Sequence, residues 1–278
     1  MAISNDDIMF VYSGGSSNSN PDLSLGGAMS GSDIPNGLNN LYDNVSGNEA
    51  SLGASDYRCF YVQNVNSTDT FSNTSVEIGV QIAGGATAGF GTHIATDLQR
   101  ITIVADAAFT GGSYTVRFRS IYNAATTYDI VVPYNDMANS LASQMNSTIP
   151  ELSGVSAGVT PSSGSGWYQY VIDVSFLGDD INRYQNILES VDFSTLTGAN
   201  LTSSAITKLA DGGPMNYTAP AIASETTAPS GISFGSSSIS TGDMRPNDFM
   251  PVWLERVTPI GTDPISNDGV SIKINGAV

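Results

Sequence analysis

The sequence predicts a mainly β protein in which a β-sandwich is interrupted by an inserted α+β domain with one covering helix. Apolar and polar residues alternate strictly in several runs, which is the pattern of half-buried antiparallel strands. Residues 1–97 offer too few strands to close a sandwich and residues 230–278 are too short to bury a core, so we expect the two pieces to form one domain. Residues 98–212 combine strand patterns with a single helical stripe, as an α+β domain requires.

Four alternating runs define the clearest strands, and Gly and Ser clusters such as TGGS and SSGSG separate strands as turns. Their inward-facing residues are predicted to be Val76, Ile78, Val80 and Ile82 in VEIGVQI; Tyr114, Val116 and Phe118 in SYTVRFRS; Tyr168, Tyr170, Ile172, Val174 and Phe176 in YQYVIDVSF; and Val270, Ile272 and Ile274 in GVSIKING. The residues between them, such as Arg117 and Arg119, are expected to face solvent.

Two stretches show helical spacing instead. In SDIPNGLNNLYDNVSG, Asp33 is predicted to cap a helix that ends at Gly47, and in YNDMANSLASQMNSTI, Asn135 caps a helix that Pro150 closes. The apolar stripes are Ile34, Leu38, Leu41, Tyr42 and Val45 in the first helix, and Met137, Leu141, Met145 and Ile149 in the second. Each stripe matches what one sheet face needs, so we expect both helices to pack against the core.

Two strands of similar apolar character, DYRCFYVQN at 56–64 and PVWLERVT at 251–258, lie far apart along the chain. We predict that they share the discontinuous sandwich domain, with 98–212 inserted into an exposed loop between them. Residues 213–229 are rich in Pro, Ala, Ser and Thr and are expected to form a linker.

Composition excludes several classes of partner. Charged residues make up 13% of the chain, about half the usual share, and the net charge is −17. Only Lys208 and Lys273 are lysines, so we expect binding neither to nucleic acid nor to an anionic membrane. No apolar run predicts a transmembrane helix, and MAISNDDIMF lacks the regions of a signal peptide. Cys59 is the single cysteine, so no internal disulfide forms, and folding in a cytosol is expected.

Residues suited to catalysis are few. His93 is the single histidine, and Cys59 lies in an apolar strand where a thiol is usually inert. The pairs Asp6–Asp7 and Asp179–Asp180 are candidates for acid–base chemistry or calcium, although adjacent acids at loop ends are usually only solvated. We therefore predict that the protein is not an enzyme and has no catalytic residue, cofactor or metal.

Oxygen-rich turns and aromatic residues suggest two further binding hypotheses. The turns SNSNPDLSLGG and GTDPISNDG have calcium-ligating residue types, but neither matches an EF-hand loop. Sequons at Asn66 and Asn73 matter only in a secreted protein. Aromatic side chains can stack on sugars, but in a sandwich they more often fill the core. The candidates are Tyr12, Tyr42, Tyr57, Tyr61, Trp167 and Trp253.

Several blocks of the sequence resemble a group of tailed-bacteriophage virion structural proteins. The first block is DIMFVYSGGSSNSNPDLSLGGAMS, in which a strand precedes SGG, an Asn/Pro turn and SLGG. It is followed in order by LNNLYDNVSG, DYRCFYVQN, SETTAPSGISFG, PNDFMPVWLERV and SNDGVSIKING. The resemblance covers most of residues 1–97 and 222–278. Residues 98–212 are similar to a compact α+β module of phage and surface structural proteins, and the family has no catalytic residues to transfer.

The sequence is therefore interpreted as a non-enzymatic bacteriophage virion protein with an Ig-like β-sandwich and an inserted α+β domain. The resemblance implies an assembly role beside other virion proteins, in a symmetric homo-oligomeric ring or shell, and leaves tail, neck and capsid shell open. We expect the tail or neck rather than the capsid, because an acidic, lysine-poor surface is poorly suited to a position facing packed DNA. Three alternatives stay open: a capsid decoration protein, an adhesin that binds glycans through aromatic residues of the insert, and a glycan depolymerase. The depolymerase would need an acid pair in a cleft, for which only Asp179 and Asp180 are available.

Overall fold

The computed structural model describes residues 7–81, 84–120, 122–123, 125–177, 183–185, 188–263 and 269–277. Strands dominate it, so the prediction of a mainly β fold is confirmed. The chain packs as two compact units, which we call the first unit (Met1–His93 with Pro214–Val278) and the second unit (Ile94–Gly213).

The elements follow one another in this order. The first are β1 (Ile8–Tyr12), α1 (Gly47–Leu52), β2 (Ala54–Asn64), β3 (Phe71–Gln81) and β4 (Thr87–Gly91). The second unit contains β5 (Leu98–Ala105), β6 (Ser113–Arg119), β7 (Thr127–Pro133), α2 (Asn139–Thr148), β8 (Val155–Gly164), β9 (Trp167–Phe176), β10 (Ser190–Asp192) and β11 (Leu201–Ala210). The chain then returns to the first unit with β12 (Ser238–Met244), β13 (Phe249–Thr258) and β14 (Val270–Ala277). Short 3-10 turns lie at Pro21–Leu23 and Tyr134–Asp136.

The first unit is a sandwich of two antiparallel sheets. The main sheet has the strand order β1-β2-β13-β4, and the small sheet has the order β12-β3-β14. Alternate residues of the strands point between the sheets and are removed from water, which is the dominant favourable contribution to folding. This core contains Phe60, Val62, Phe71, Val76, Phe90, Ile239, Met244, Met250, Val252 and Leu254.

The two distant strands predicted to share one sandwich domain are adjacent in the main sheet. β2 and β13 pair antiparallel over ten residues, from Gln63 opposite Phe249 to Ala54 opposite Thr258. The residues between the two strands include the whole second unit, whose ends meet where Ala95 and Gly213 exchange backbone hydrogen bonds of 3.3 and 3.0 Å. Close ends allow an inserted unit to leave the host strands in register.

The outer face of the main sheet is buried as well, beneath two irregular segments of the chain. Val11, Tyr57, Cys59, Tyr61, Ala219 and Trp253 form this second cluster. The Tyr61 hydroxyl donates to the Gly27 carbonyl at 2.6 Å and accepts from the Ala219 amide at 3.0 Å. The Gly27 amide donates to the Ala219 carbonyl at 2.8 Å. Residues 213–229 were predicted to be a linker; in the structure, Met215 and Ala219 are buried in the first unit.

Glycine at position 26 is required by this close approach. Its φ is +86°, and a Cβ atom there would lie 2.2 Å from the Pro220 carbonyl oxygen and 3.0 Å from the Trp253 ring. Only glycine allows the two covering segments to meet over the indole. The first glycine of the SLGG motif is therefore explained by packing.

The second unit has two sheets and one helix. The sheet orders are β11-β5-β9-β8 and β10-β6-β7, and α2 contacts the edge strands β7 and β8. The Gln144 amide donates to the Val131 carbonyl of β7, and the Asn146 amide donates to the Val155 carbonyl of β8 at 3.0 Å. The helix thus joins the edges of two sheets, whereas the sequence interpretation placed the strands in a single sheet.

The predicted stripe of the second helix is confirmed, since Met137, Leu141, Met145 and Ile149 are all buried. The predicted inward residues of β6 and the last three of β9 lie in the same core, namely Tyr114, Val116, Phe118, Ile172, Val174 and Phe176. The predicted cap of α2 is wrong, because Ala138 directly precedes the helix and Asn135 lies in the 3-10 turn before it.

The predicted first helix, 33–47, is also wrong. Gly37 and Asn39 have φ values of +145° and +59°, which are incompatible with a right-handed helix. The Asn40 side chain donates to two carbonyls of the same loop, at Pro35 and Gly37. A different helix, α1, begins at Gly47, the residue where the predicted helix was expected to end. It begins there because Ser46 and Glu49 form a reciprocal capping box.

We expect a fragment of residues 94–213 to fold on its own and a fragment of residues 1–93 to remain unfolded. The fragment 1–93 lacks β13, so the ten-residue pairing and the burial of both faces of β2 are lost. Thermal unfolding of each fragment, followed by circular dichroism, tests this. A cooperative transition in 1–93 would contradict the expectation, and addition of residues 214–278 to that fragment should restore structure.

Candidate functional site

A buried ionic cluster lies at one end of the paired strands β2 and β13. Arg256 of β13 stands directly opposite Asp56 of β2 and contacts its carboxylate at 2.8 Å. The same guanidinium contacts the Glu49 carboxylate at 2.9 Å and donates to the Asp43 backbone carbonyl at 2.6 Å. One cation therefore binds the loop before α1, the helix α1 and the strand β2. We call these residues the Arg256 cluster.

Tyr42 lies between two buried guanidinium groups. Its ring centroid is 4.8 Å from Arg256 and 5.5 Å from Arg58, distances at which cation–π attraction contributes. The Tyr42 hydroxyl donates to the backbone carbonyls of Leu254 and Asp56. Arg58, whose side chain is 2% exposed, pairs with Glu225 and lies 3.6 Å from Asp22. The cluster thus also anchors the segment around Glu225.

The electrostatics of the cluster favour a structural role. Burial raises the pKa of the Asp56 carboxyl above its usual range, and this effect outweighs the opposing influence of Arg256. Burial acts in the same direction on Glu49, but hydrogen bonds from Ser46 and the charge of Arg256 lower the pKa of Glu49 overall. Burial also raises the pKa of Tyr42, so its phenol remains a neutral donor. Arg256 engages both carboxylates, so the arrangement clamps three segments together.

A cleft of about 480 Å³ adjoins this cluster in the first unit. Its walls come from the inner face of the main sheet, the ends of β3 and β14, and the loop 34–45. Apolar wall residues are Phe10, Ile34, Leu38, Leu41, Phe60, Val80, Ala88, Leu254, Val270 and Ile272. Leu38 is 50% exposed and Val80 is 60% exposed, so apolar side chains line an open mouth. The predicted inward position of Val80 is wrong, because a register shift between Ile78 and Val80 places Val80 opposite the exposed Ser271. Ile82, at the same strand end, lies outside the described residues.

The two side chains first considered for catalysis, His93 and Cys59, have different surroundings. The ring of His93 stacks on Tyr217 with centroids 4.7 Å apart. Cys59 is fully buried in β2, and burial raises the pKa of its thiol. A nucleophilic cysteine needs an accessible, acidified thiol, so this environment favours an inert one.

Of the acidic pairs, only Asp7 falls within the described residues, where its carboxylate accepts from the Asn66 amide at 2.9 Å. Asp6 and the pair Asp179–Asp180 lie outside them. Within 7–81, 84–120 and the other described ranges, no three His, Cys, Asp or Glu residues are grouped as a metal site would need. In the same parts of the chain, neither helix has the length and apolar character needed to cross a bilayer.

Most of the aromatic candidates belong to the core. Tyr12, Tyr57, Tyr61 and Trp253 are buried, as the packing interpretation requires. Trp167 is 42% exposed at the start of β9. The second unit also has a groove of about 280 Å³ between the start of α2 and β8. Its walls include Tyr134, Asn135, Asp136, Asn139, Val159, Pro161 and Tyr170.

Sequence reasoning missed the Arg256 cluster. Two signals were present: Arg58 and Arg256 each interrupt an apolar strand, and Ser46 with Glu49 matches the capping-box spacing that begins a helix. A charged residue in an apolar strand demands a buried partner. Which residue becomes the partner depends on the register between β2 and β13, and Asp56 and Arg256 are 200 residues apart in the sequence.

No protein-family model matches this sequence, and no curated protein sequence matches it either. Among solved structures, the chain is similar to the D1-D2-D3 domains of the flagellar cap protein FliD from Escherichia coli. That match has 11% identity and a TM-score of 0.28. It covers 83% of this chain but only 58% of the length of the FliD chain. The FliD D2-D3 domains from the same organism match at 16% identity and a TM-score of 0.22, with 81% of this chain and all of that chain covered. TM-scores this far below 0.5 carry no functional inference.

Replacing Arg256 by Met should destabilise the first unit by about 3–5 kcal/mol at pH 7, the usual cost of removing one partner from a buried ion pair. Without the cation, Asp56 and Glu49 keep uncompensated negative charge, which raises their folded-state pKa values above the unfolded ones. The folded variant then binds more protons than its unfolded state, so the loss should shrink as the pH falls towards about 4. Urea unfolding at both pH values measures this.

Lys273→Met is the matched control in the same unit. Lys273 is 54% exposed and pairs with Glu77 at 3.3 Å, so solvent screens the pair and its removal should have a much smaller effect. Equal losses for the two variants, or a loss for Arg256→Met that grows in acid, would contradict the assigned role of the cluster.

Cys59 should resist a thiol reagent such as 5,5′-dithiobis(2-nitrobenzoic acid) in the native protein and react fully in urea. Its side chain is fully buried and burial raises its pKa, so neither access nor thiolate is available before unfolding. The time course of absorbance with and without urea provides the measurement. Rapid labelling of native protein would show that β2 is open to solvent.

Proposed function

We propose that this chain is a non-enzymatic structural component of a bacteriophage virion, located at the tail or neck. It folds in the host cytoplasm and then joins a symmetric assembly of its own copies and other virion proteins. The proposal originates in the resemblance of residues 1–97 and 222–278 to virion structural proteins. The geometry of the first unit supports it as follows.

The observation that carries the proposal is the role of the shared sequence blocks in this fold. The SGG…SLGG block covers the outer face of the main sheet, DYRCFYVQN is β2, and PNDFMPVWLERV contains β13. The block SETTAPSGISFG supplies Glu225, whose backbone carbonyl accepts from the Tyr57 amide at 2.7 Å. These blocks therefore build the main sheet and its outer cover, a scaffold of the kind that an assembly component needs.

The surface chemistry supports docking through neutral groups. Among the residues that the structure describes, ion pairs within the chain engage Arg58, Arg100, Arg117, Arg119, Lys208, Arg256 and Lys273. Contacts with neighbours would then use apolar side chains and backbone hydrogen bonds more than ion pairs. Exposed apolar residues such as Leu52, at 67%, and Ile260, at 76%, are suited to such contacts.

One specific observation favours a second candidate, a glycan-binding adhesin. The groove of the second unit combines Tyr134 and Tyr170 with the amides of Asn135 and Asn139 and the carboxylate of Asp136. Aromatic faces and short polar side chains are the groups that bind sugars, although the Tyr170 hydroxyl already accepts from the Phe109 amide at 3.3 Å. Binding of neutral oligosaccharides by the 94–213 fragment would support the adhesin.

Quantitative mass spectrometry of purified particles tests the virion proposal. We expect the chain in the mature particle at roughly a dozen to a few dozen copies, as a ring component requires. The portal and major capsid proteins serve as internal standards. Hundreds of copies would instead indicate capsid decoration, and absence from washed particles would reject a virion role.

A further inference from the structure

The edges of the main sheet are closed by the chain itself. At β1, the Ile34 amide donates to the Phe10 carbonyl at 2.8 Å. At β4, the Gln81 side chain donates to the Ala88 carbonyl at 2.7 Å and accepts from the Ala88 amide at 2.9 Å, while the Phe90 amide donates to Ser236. Protection of this kind prevents unwanted strand pairing.

The outer edge of β14 differs. β14 pairs with β3 along one side, and among the described residues no backbone hydrogen bond reaches its other side. Val270, Ile272 and Ile274 form its inward row and are only half-buried, although they pack against the core. Ser271, Lys273 and Asn275 of the opposite row are exposed, and Lys273 pairs with Glu77 of β3. An additional strand here would find both free backbone groups and an incompletely covered apolar row.

The cleft of about 480 Å³ adjoins the beginning of this edge. Gly269, Val270, Ser271 and Ile272 form part of its wall, together with the exposed side chains of Leu38 and Val80. An extended segment paired with β14 would therefore place alternate side chains against Val270 and Ile272 and towards the cleft. This combination of edge and pocket is the geometry of strand addition, in which backbone bonds supply affinity and pockets supply specificity.

Charge distinguishes between possible occupants. The first unit contains 15 acidic and four basic residues. Asp43, which lines the cleft, has a side chain 74% exposed even though it lies 3.5 Å from Arg256. A second copy of the chain would bring the same negative excess, and like charges disfavour that contact. A segment of a different protein with a basic residue at the cleft end is complementary.

We propose that the β14 edge and the adjoining cleft are an acceptor site for an extended segment of a partner protein, with apolar residues at alternate positions and Lys or Arg at the end that reaches Asp43. The inference deepens the proposed assembly function and rests on it, since it specifies how one neighbour is held. The added strand would give the small sheet a fourth strand opposite the four-stranded main sheet.

A fused strand tests the acceptor site without an identified partner. The full chain is extended after Val278 by a turn containing Asn-Gly, which favours an antiparallel hairpin, and then by a strand of alternating Thr and Val ending in Lys. Two versions differ by a one-residue shift of the Thr/Val pattern, which exchanges the faces of the strand. We expect one version to raise the Tm of the first unit by about 3 °C or more and the other to raise it less.

Variants of the cleft link any gain to this site. Val80→Ser changes an exposed position without adding charge and should leave the unextended chain folded, but it should remove most of the gain from the fused strand. Replacing the terminal Lys of the fused strand with Glu should reduce the gain, because Asp43 then repels it. Hydrogen exchange should slow at the outward amides of β14 in the stabilised version alone.

The proposal is overturned if neither version raises the Tm, or if the gain survives Val80→Ser unchanged. Equal gains with Lys and Glu would reject a basic partner. These outcomes are separate from those of the particle measurement: absence from particles would reject the virion role while a stabilising strand would still establish the acceptor edge. A chain present in particles that gains nothing from the strand would reject the acceptor site alone.

Discussion

The antiparallel pairing of β2 with β13 is the contact on which the rest of the first unit depends. Ten residues of each strand are held in one register although the strands lie far apart in the sequence, and both faces of the pair are buried. On one face, alternate residues of these strands join the small sheet in the core; on the other, Tyr61 and Trp253 support the two covering segments. A shift of one residue would exchange these faces and expose both sets of apolar side chains.

The same register places the buried charges. Asp56 and Arg256 are opposite one another, and Arg58 follows Asp56 on the same face two residues later. Burial of unpaired charge is costly, so these residues recruit Glu49 from the helix α1 and Glu225 from an irregular segment. In a chain with few charged residues, the cations are therefore used to fasten loops to strands. Little cationic surface remains for partners, which is consistent with docking through neutral edges and apolar side chains.

Prediction from the sequence succeeded where local spacing decides the structure. The stripe of Met137, Leu141, Met145 and Ile149 is buried as expected, because a helical period brings these residues to one face whatever their neighbours are. Prediction failed at 33–47, where an apolar stripe of similar spacing belongs to a loop. Asparagine and glycine at positive φ, together with the Asn40 hydrogen bonds, compete there with the helix. Most residues of this stripe contact the core, but their spacing alone does not show whether a helix or a loop brings them there.

The sequence by itself determined the mainly β class, the faces of β6 and of the end of β9, and the second helix, since alternation and spacing are local properties. It predicted a shared domain for β2 and β13, since a half-filled sheet must find strands elsewhere. Only the tertiary structure decided the positions of the Arg256 cluster, the covering segments and the open edge beside the cleft. Segment 213–229 reads as a linker by composition, yet Met215 and Ala219 are buried within the first unit. These features depend on which residues meet across long stretches of chain, and that is set by register and close packing, which composition does not encode.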